Sequence, residues 1–356
     1  MRTKTFSYQK LLIPIFAVVA AMAIGVILIL IEKASPVDAY RILLTSSFSS
    51  VMNLGETLIK AIPIGFTGLA VAWAYRGGTF NIGVEGQLLM GAAGGISIAL
   101  CCSKLSPVIV IPLSILAGAV TGGLWAYIPA VLKARKNINE IISTIMLNYI
   151  GKYLVSWLIN GPLQEAARHN PQTEAIDKAF YLPTLIPGTR VHWGLVLLLA
   201  VCIIEFYVLF YSSAGYRLRV VGLNKDAANY AGICINRNIL IAMVVSGAIA
   251  GIGGTVEMLG LQHRLIDGFG SNYGFDGIAI ALIGQLNPFG ALLAALLFGI
   301  LRTGANSMQR LAGVPTSVVE VIQGLIIFFV VCSAGVKLYV RKKRKGDLKP
   351  EGGEKA

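Results

Sequence analysis

Residues 77–87 read Gly77-Gly78-Thr79-Phe80-Asn81-Ile82-Gly83-Val84-Glu85-Gly86-Gln87 and separate an apolar run at 62–75 from another at 88–102. A single straight helix cannot accommodate such a stretch easily. Four glycines let the backbone unwind or let neighbouring helices approach closely. A carboxylate at membrane depth is costly unless it is paired or faces water. The carboxylate and the two amides in this stretch, Asn81, Glu85 and Gln87, are therefore candidates for function. The pattern returns later: Asn81 to Gly86 has the form N-x-G-x-acid-G, and so does Asn272-Tyr273-Gly274-Phe275-Asp276-Gly277. Both copies open an apolar segment, which marks an internal repeat.

The chain is 56% hydrophobic and only 13% charged, and its mean hydropathy is +0.73. These values place it among polytopic membrane proteins. Its net charge of +13 sits in the segments between apolar runs and at the two ends. That distribution fits positive-inside topology and argues against nucleic-acid binding. The five cysteines form no CxxC pair and the three histidines lack metal spacing, so neither a disulfide framework nor a metal site is expected. No G-x4-G-K-[ST] loop is present, so the chain carries no ATPase machinery of its own. No nucleophile–base pair suggests catalytic residues.

Residues 11–31 carry no charge and are long enough to cross a bilayer core of about 30 Å. A signal peptide is the competing reading, but the apolar run is longer than the usual one. Residues 35–54 read as an external surface helix. Further spans are expected at 57–75 (kinked at Pro63), 84–102, 108–132, 141–159, 193–211 and 239–261. Residues 160–192 form an external loop, and residues 212–238 a basic cytoplasmic one. Region 275–302 is ambiguous. As one span it would put the basic tail outside; as two short segments broken at Gln285-Leu286-Asn287-Pro288 it keeps the tail in the cytoplasm. The second option, with a final span at 318–336, gives an all-α polytopic membrane protein of about ten transmembrane segments. The cytoplasmic N-terminus is 1–10, the transmembrane domain 11–336 and the basic cytoplasmic tail, near anionic lipid, 337–356. The two motif copies then have opposite orientation, as in an inverted repeat with two short interrupted helices.

Within 212–238 the chain reads Arg217, Arg219, Gly222, then Asn224-Lys225-Asp226-Ala227-Ala228 and, three residues on, Gly232. Asn224 or Asp226 can cap a short helix, a small Ala227/Ala228 face can dock in a groove, and Gly232 can end it. An ordinary capped cytoplasmic helix is the plainer reading. The acid-Ala-Ala-x3-Gly pattern resembles the coupling segment of ABC-importer permeases. Over roughly residues 10–340 the chain is similar to the branched-chain amino acid, ribose and nucleoside permease family. Residues 77–87, the coupling stretch and Pro171-Gln172-Thr173-Glu174-Ala175-Ile176 resemble its nucleoside branch, which works with basic-membrane-protein-type lipoproteins. The ribose branch would carry Asp-Leu-Ser-x-Gly where Asn81 to Gly86 stands.

The resemblance implies a permease subunit in a bacterial cytoplasmic membrane. It implies a second permease chain, an ABC ATPase that uses ATP and Mg, and a lipid-anchored substrate-binding lipoprotein as partners. This chain itself would bind no cofactor. It also implies a substrate path, for which Phe80, Asn81, Glu85, Gln87, Asn148, Asn272, Tyr273 and Asp276 are the candidates. Amides and carboxylates suit hydroxyls and base edges, and aromatic rings suit base stacking. Equally, Asn81/Glu85 and Asn272/Asp276 can tie down interrupted helix ends. His169 and His192 read as solvated loop residues. Simple sugars are the alternative substrate, and an ion-coupled carrier using Glu85, Asp276, Glu257 or Glu320 is the alternative mechanism.

Overall fold

The computed structural model describes residues 9–270, 272–326 and 328–329, with side chains from residue 19 onward. The tail 337–356, most of the segment 1–10 and the second half of the expected final span lie outside them. Thirteen α-helices are described. They are α1 (Gln9–Ile31), α2 (Pro36–Thr45), α3 (Val51–Arg76), α4 (Val84–Cys101), α5 (Pro107–Lys136), α6 (Glu140–Asn160) and α7 (Gly194–Tyr211). The rest are α8 (Ser213–Leu223), α9 (Lys225–Tyr230), α10 (Ile235–Glu257), α11 (Tyr273–Ile283), α12 (Pro288–Ala312) and α13 (Thr316–Ile326). α10 continues as a π-helical turn, Met258–Gln262. No β-strand occurs among the described residues, only isolated bridges. Among the described residues, seven helices are long and apolar enough to cross a membrane: α3 to α7, α10 with its π turn, and α12.

The chain divides into two compact units, one of residues 1–43 and 305–356, the other of residues 44–304. In the first, Gly25 lies flush against Tyr40 and Ile322, and the Tyr40 hydroxyl donates to the Met22 carbonyl at 2.6 Å.

The second unit is built around α3. Its N-terminus is capped by Ser50, whose side chain accepts from the Asn53 amide at 3.1 Å. Every residue from Ala61 to Ala74 is buried, whereas α5, α6 and α7 leave most of their residues less than fully buried. Helices α4, α5 and α10 meet through glycine. Gly91 and Gly251 touch backbone to backbone, as do Gly122 and Gly247, so any side chain there would collide. The Thr255 hydroxyl donates across this contact to the Gly91 carbonyl at 3.0 Å. Without water to drive association, such close approach and interhelical hydrogen bonding hold membrane helices together.

The break expected in 275–302 is present, but its two arms are unequal. α11 is 11 residues long, while α12 is 25 residues and is not a short segment. α12 runs past Arg302, where the sequence reading stopped it, because Arg302 is ion-paired with Asp276 of α11. The loop 160–192 is also more ordered than its composition suggested. The amides of Thr173, Ile176 and Leu182 donate to the carbonyls of Leu265, His263 and Leu259 at 2.9–3.0 Å. His192 is therefore not solvated: it is fully buried, with Gly260 pressed against its ring.

Candidate functional site

Where the first glycine-rich stretch breaks the helical run, its polar groups are used locally. Asn81 and Gln87 form a reciprocal amide pair at 2.9 and 3.1 Å. Asn81 also donates to Ser246 Oγ and accepts from the Gly83 amide. Asn148 of α6 accepts from the Gly86 amide and donates to the Ile82 carbonyl, both at 2.9 Å. These bonds satisfy backbone groups that a helix start leaves open. Asn81, Gln87 and Asn148 thus hold the break together. Phe80 packs edge-on against Tyr75, with centroids 5.2 Å apart.

Glu85 does something different. Its carboxylate leaves its own segment and accepts from the Asn272 amide at 2.8 Å and the Gly274 amide at 2.5 Å. It thereby caps α11, the helix opened by the second copy of the motif. A negative charge at a helix N-terminus is stabilised by the exposed N–H groups and the helix dipole. The approach is close: a side chain at Gly274 would collide with the Glu85 backbone. Asn272 adopts a left-handed conformation (φ 73°), which asparagine tolerates better than most residues. Asp276 pairs with Arg302, and the Arg302 guanidinium lies 5.0 Å from the Tyr273 ring centroid. Thr67 of α3 donates to the Tyr273 carbonyl at 2.9 Å.

A half-open cavity of about 200 Å³ adjoins this meeting point. Of the expected path residues, Glu85, Asn148 and Asn272 line it. The sequence reading missed Tyr149, Lys152, Asp267, Phe269 and Phe275, which line it too. Lys152 carried a signal that was overlooked, being a lone charge inside an apolar span. Phe269 and Asp267 carried none, because they sit in an irregular connection whose path only the packing defines.

The second set of expected residues lies on α8 and α9. Ser212 caps α8, accepting from the Gly215 amide at 3.1 Å. Asn224 caps α9, accepting from the Asp226 and Ala227 amides at 2.9 and 3.1 Å. Gly232 follows α9 with φ 71° in open space. Ala228 is buried within the chain, and Ala227, Asp226 and Arg217 are exposed. Leu223 and Tyr230 flank α9 at 87% and 95% exposure, so they, more than the alanines, form its outward apolar surface. Arg219 is half-buried, 5.3 Å from the Phe210 ring.

Interrupted helices that meet through polar groups inside a bundle of apolar helices define a multi-pass membrane transport subunit. The pattern of the branched-chain amino acid transport system permease component matches residues 53–331. The chain belongs to that family. It is 36% identical to the guanosine ABC transporter permease protein NupP of Bacillus subtilis, over 95% of this chain and 98% of that one. It is 33% identical to the nucleoside ABC transporter permease protein NupB of Lactococcus lactis, over the full length of both. It is also 37% identical to the glucose ABC transporter permease protein TsgB13 of Haloferax volcanii, over 92% of this chain and 88% of that one.

Proposed function

We propose that this permease subunit translocates nucleosides as part of an ATP-driven importer. Identity alone does not separate the two substrate classes, since the guanosine and glucose relatives are 36% and 37% identical. The observation that carries the reading is the lining of the cavity. Tyr149, Phe269 and Phe275 offer aromatic faces next to the amides of Asn148 and Asn272 and the carboxylates of Glu85 and Asp267. Stacking on an aromatic ring contributes about 1–3 kcal/mol per base in nucleic-acid binders, and amides and carboxylates match base edges and ribose hydroxyls. A transit site needs a few such contacts and no deep well.

In this reading the chain pairs with a second permease and an ATPase that supplies ATP and Mg chemistry. A lipid-anchored binding lipoprotein delivers substrate from outside. The ATPase docks on α8–α9 through Leu223, Ala227 and Tyr230, with the chain termini on the same, cytoplasmic side. The ten-span count and the inverted relation of the two motif copies belong to the same proposal. Two features support them: α11 enters from a break as α4 does, and the three shorter apolar helices (Val19–Ile31, α11 and α13) add to the seven long ones.

The test is uptake of labelled guanosine, uridine and glucose in cells with and without this chain, under vanadate or a protonophore. Vanadate-sensitive loss of nucleoside uptake is expected. Loss of glucose uptake alone would move the assignment to sugars, and protonophore sensitivity alone would replace the ATP-driven mechanism by an ion-coupled one.

A further inference from the structure

Arg76, the last residue of α3, touches three functional parts of the second unit. Its Nε donates to the Leu286 carbonyl at 2.9 Å and its Nη2 to the Gln285 carbonyl at 3.5 Å. Those two residues form the break between α11 and α12, and both have positive φ, 55° and 57°. Two successive non-glycine residues in that region are uncommon and carry backbone strain that the surrounding contacts must hold. The Arg76 carbonyl lies flush against Gly222 of α8, and Gly78 (φ 76°) abuts Gly222 Cα, leaving no room for a side chain on either glycine. The coupling segment is therefore in backbone contact with the end of α3. The Arg76 guanidinium lies 5.5 Å from the Phe210 ring centroid, and Arg219 of α8 lies 5.3 Å from the same ring.

A second seat for the guanidinium is close by. Glu205 of α7 is buried, and neither of its carboxylate oxygens has a hydrogen-bond partner among the described residues. α7 packs against α3 and an electrostatic interaction links Glu205 to Arg76, but no ion pair joins the two among the described residues. A buried carboxylate without a partner is unfavourable, so a state in which Arg76 reaches it gains what this state lacks. The Phe210 face suits a guanidinium moving between the two, because attraction to an aromatic face is less directional than a hydrogen bond.

We propose that Arg76 is the positioning residue that carries movement of the coupling segment into the α11–α12 break, by exchanging its guanidinium between the Gln285 and Leu286 carbonyls and the Glu205 carboxylate. The exchange gives the two states different contacts, without which ATPase movement cannot bias the path. The inference rests on the reading of 212–238 as the ATPase-docking segment.

The experiment uses the complete transporter in lipid nanodiscs and proteoliposomes, scored for ATPase retention, ATP turnover and guanosine uptake per ATP hydrolysed. Arg76→Gln and Glu205→Gln are each expected to retain the ATPase and lower uptake per ATP about ten-fold. The double variant is expected to be no worse than Arg76→Gln alone, because both changes remove one device. Normal uptake per ATP in Glu205→Gln, or multiplied losses in the double variant, would overturn the exchange. Should a neutral variant fail to assemble, Arg76→Lys replaces it: lysine keeps the charge but lacks the planar fork and the flat face that rests on Phe210, and full coupling there would also sink the idea. Leu223→Asp and Tyr230→Asp separate this from the docking reading. If they leave ATPase retention intact, the docking surface is wrong, whatever Arg76 does.

Discussion

The two copies of N-x-G-x-acid-G use the same residues for different work. In the first, Asn81 is buried and spends its amide on Gln87, Ser246 and the Gly83 backbone. In the second, Asn272 is exposed, takes the left-handed turn and gives its backbone amide to Glu85. Glu85 of the first copy caps the helix of the second, whereas Asp276 reaches a side chain, Arg302. Val84 is wholly buried, while its counterpart Phe275 reaches the cavity. The lesson is that the first copy is a fixed joint and the second leans on it. A short motif sets where a helix breaks, and the neighbours it meets set what its acid and aromatic positions do.

The largest effect is expected where the copies touch. Gly274→Val would drive a branched side chain into the Glu85 backbone and cost about 3 kcal/mol, the upper end for overpacking. Thermal unfolding of the purified transporter would show it, and a normal melting temperature would mean that the two helix starts are not in contact. Next comes the ion pair peculiar to the second copy. Arg302→Met should cost about 2 kcal/mol, less than the 3–5 typical of a fully buried pair because both partners are partly accessible. Adding Asp276→Asn to that variant should recover part of the loss; no recovery would mean that the cost does not come from a carboxylate left uncompensated.

A third pair of variants separates joint from path. Asn81→Ala should destabilise by about 1–2 kcal/mol through orphaned buried partners while leaving the transport KM unchanged. Phe275→Val, which gives the second copy the first copy's residue, should leave stability alone and raise the KM for guanosine about ten-fold, within the range for loss of one stacked base. A raised KM in Asn81→Ala with none in Phe275→Val would reverse the assignment.

The smallest effect concerns the prop beneath the second copy. The loop 160–192 is hydrogen-bonded to residues 259–265, and His192 is buried within that contact. Burial, aided by nearby His263, pushes its pKa down to about 4. His192 is therefore held neutral, and the contact keeps its full stability above the unfolded value of about 6.5. Stability falls as the pH drops from there towards 4, by about 1 kcal/mol at pH 5.5. Proteolysis of the loop 160–192 should accelerate over that window and lose its pH dependence in His192→Gln. An unchanged profile in the variant would show that other groups govern the contact.

Much of this organisation is legible in the amino-acid string. Six of the seven long apolar helices found among the described residues, the break before Pro288, the Asn224 cap and the unwinding at residues 77–83 all follow from local quantities. These are hydropathy over about 20 residues, proline and glycine placement, and capping chemistry. The presence of two polar breaks, and hence the transport class, is local information as well. What only the tertiary structure decided depends on groups far apart in sequence. Glu85 finds its partners 187 and 189 residues away, Arg302 lets α12 continue where composition alone would stop it, and Ala228 faces inward while Tyr230 faces out. His192 is buried because a polar loop lies down on a π turn. A hydrogen bond or an ion pair is set by which helices approach within about 3 Å, and no local pattern encodes that distance.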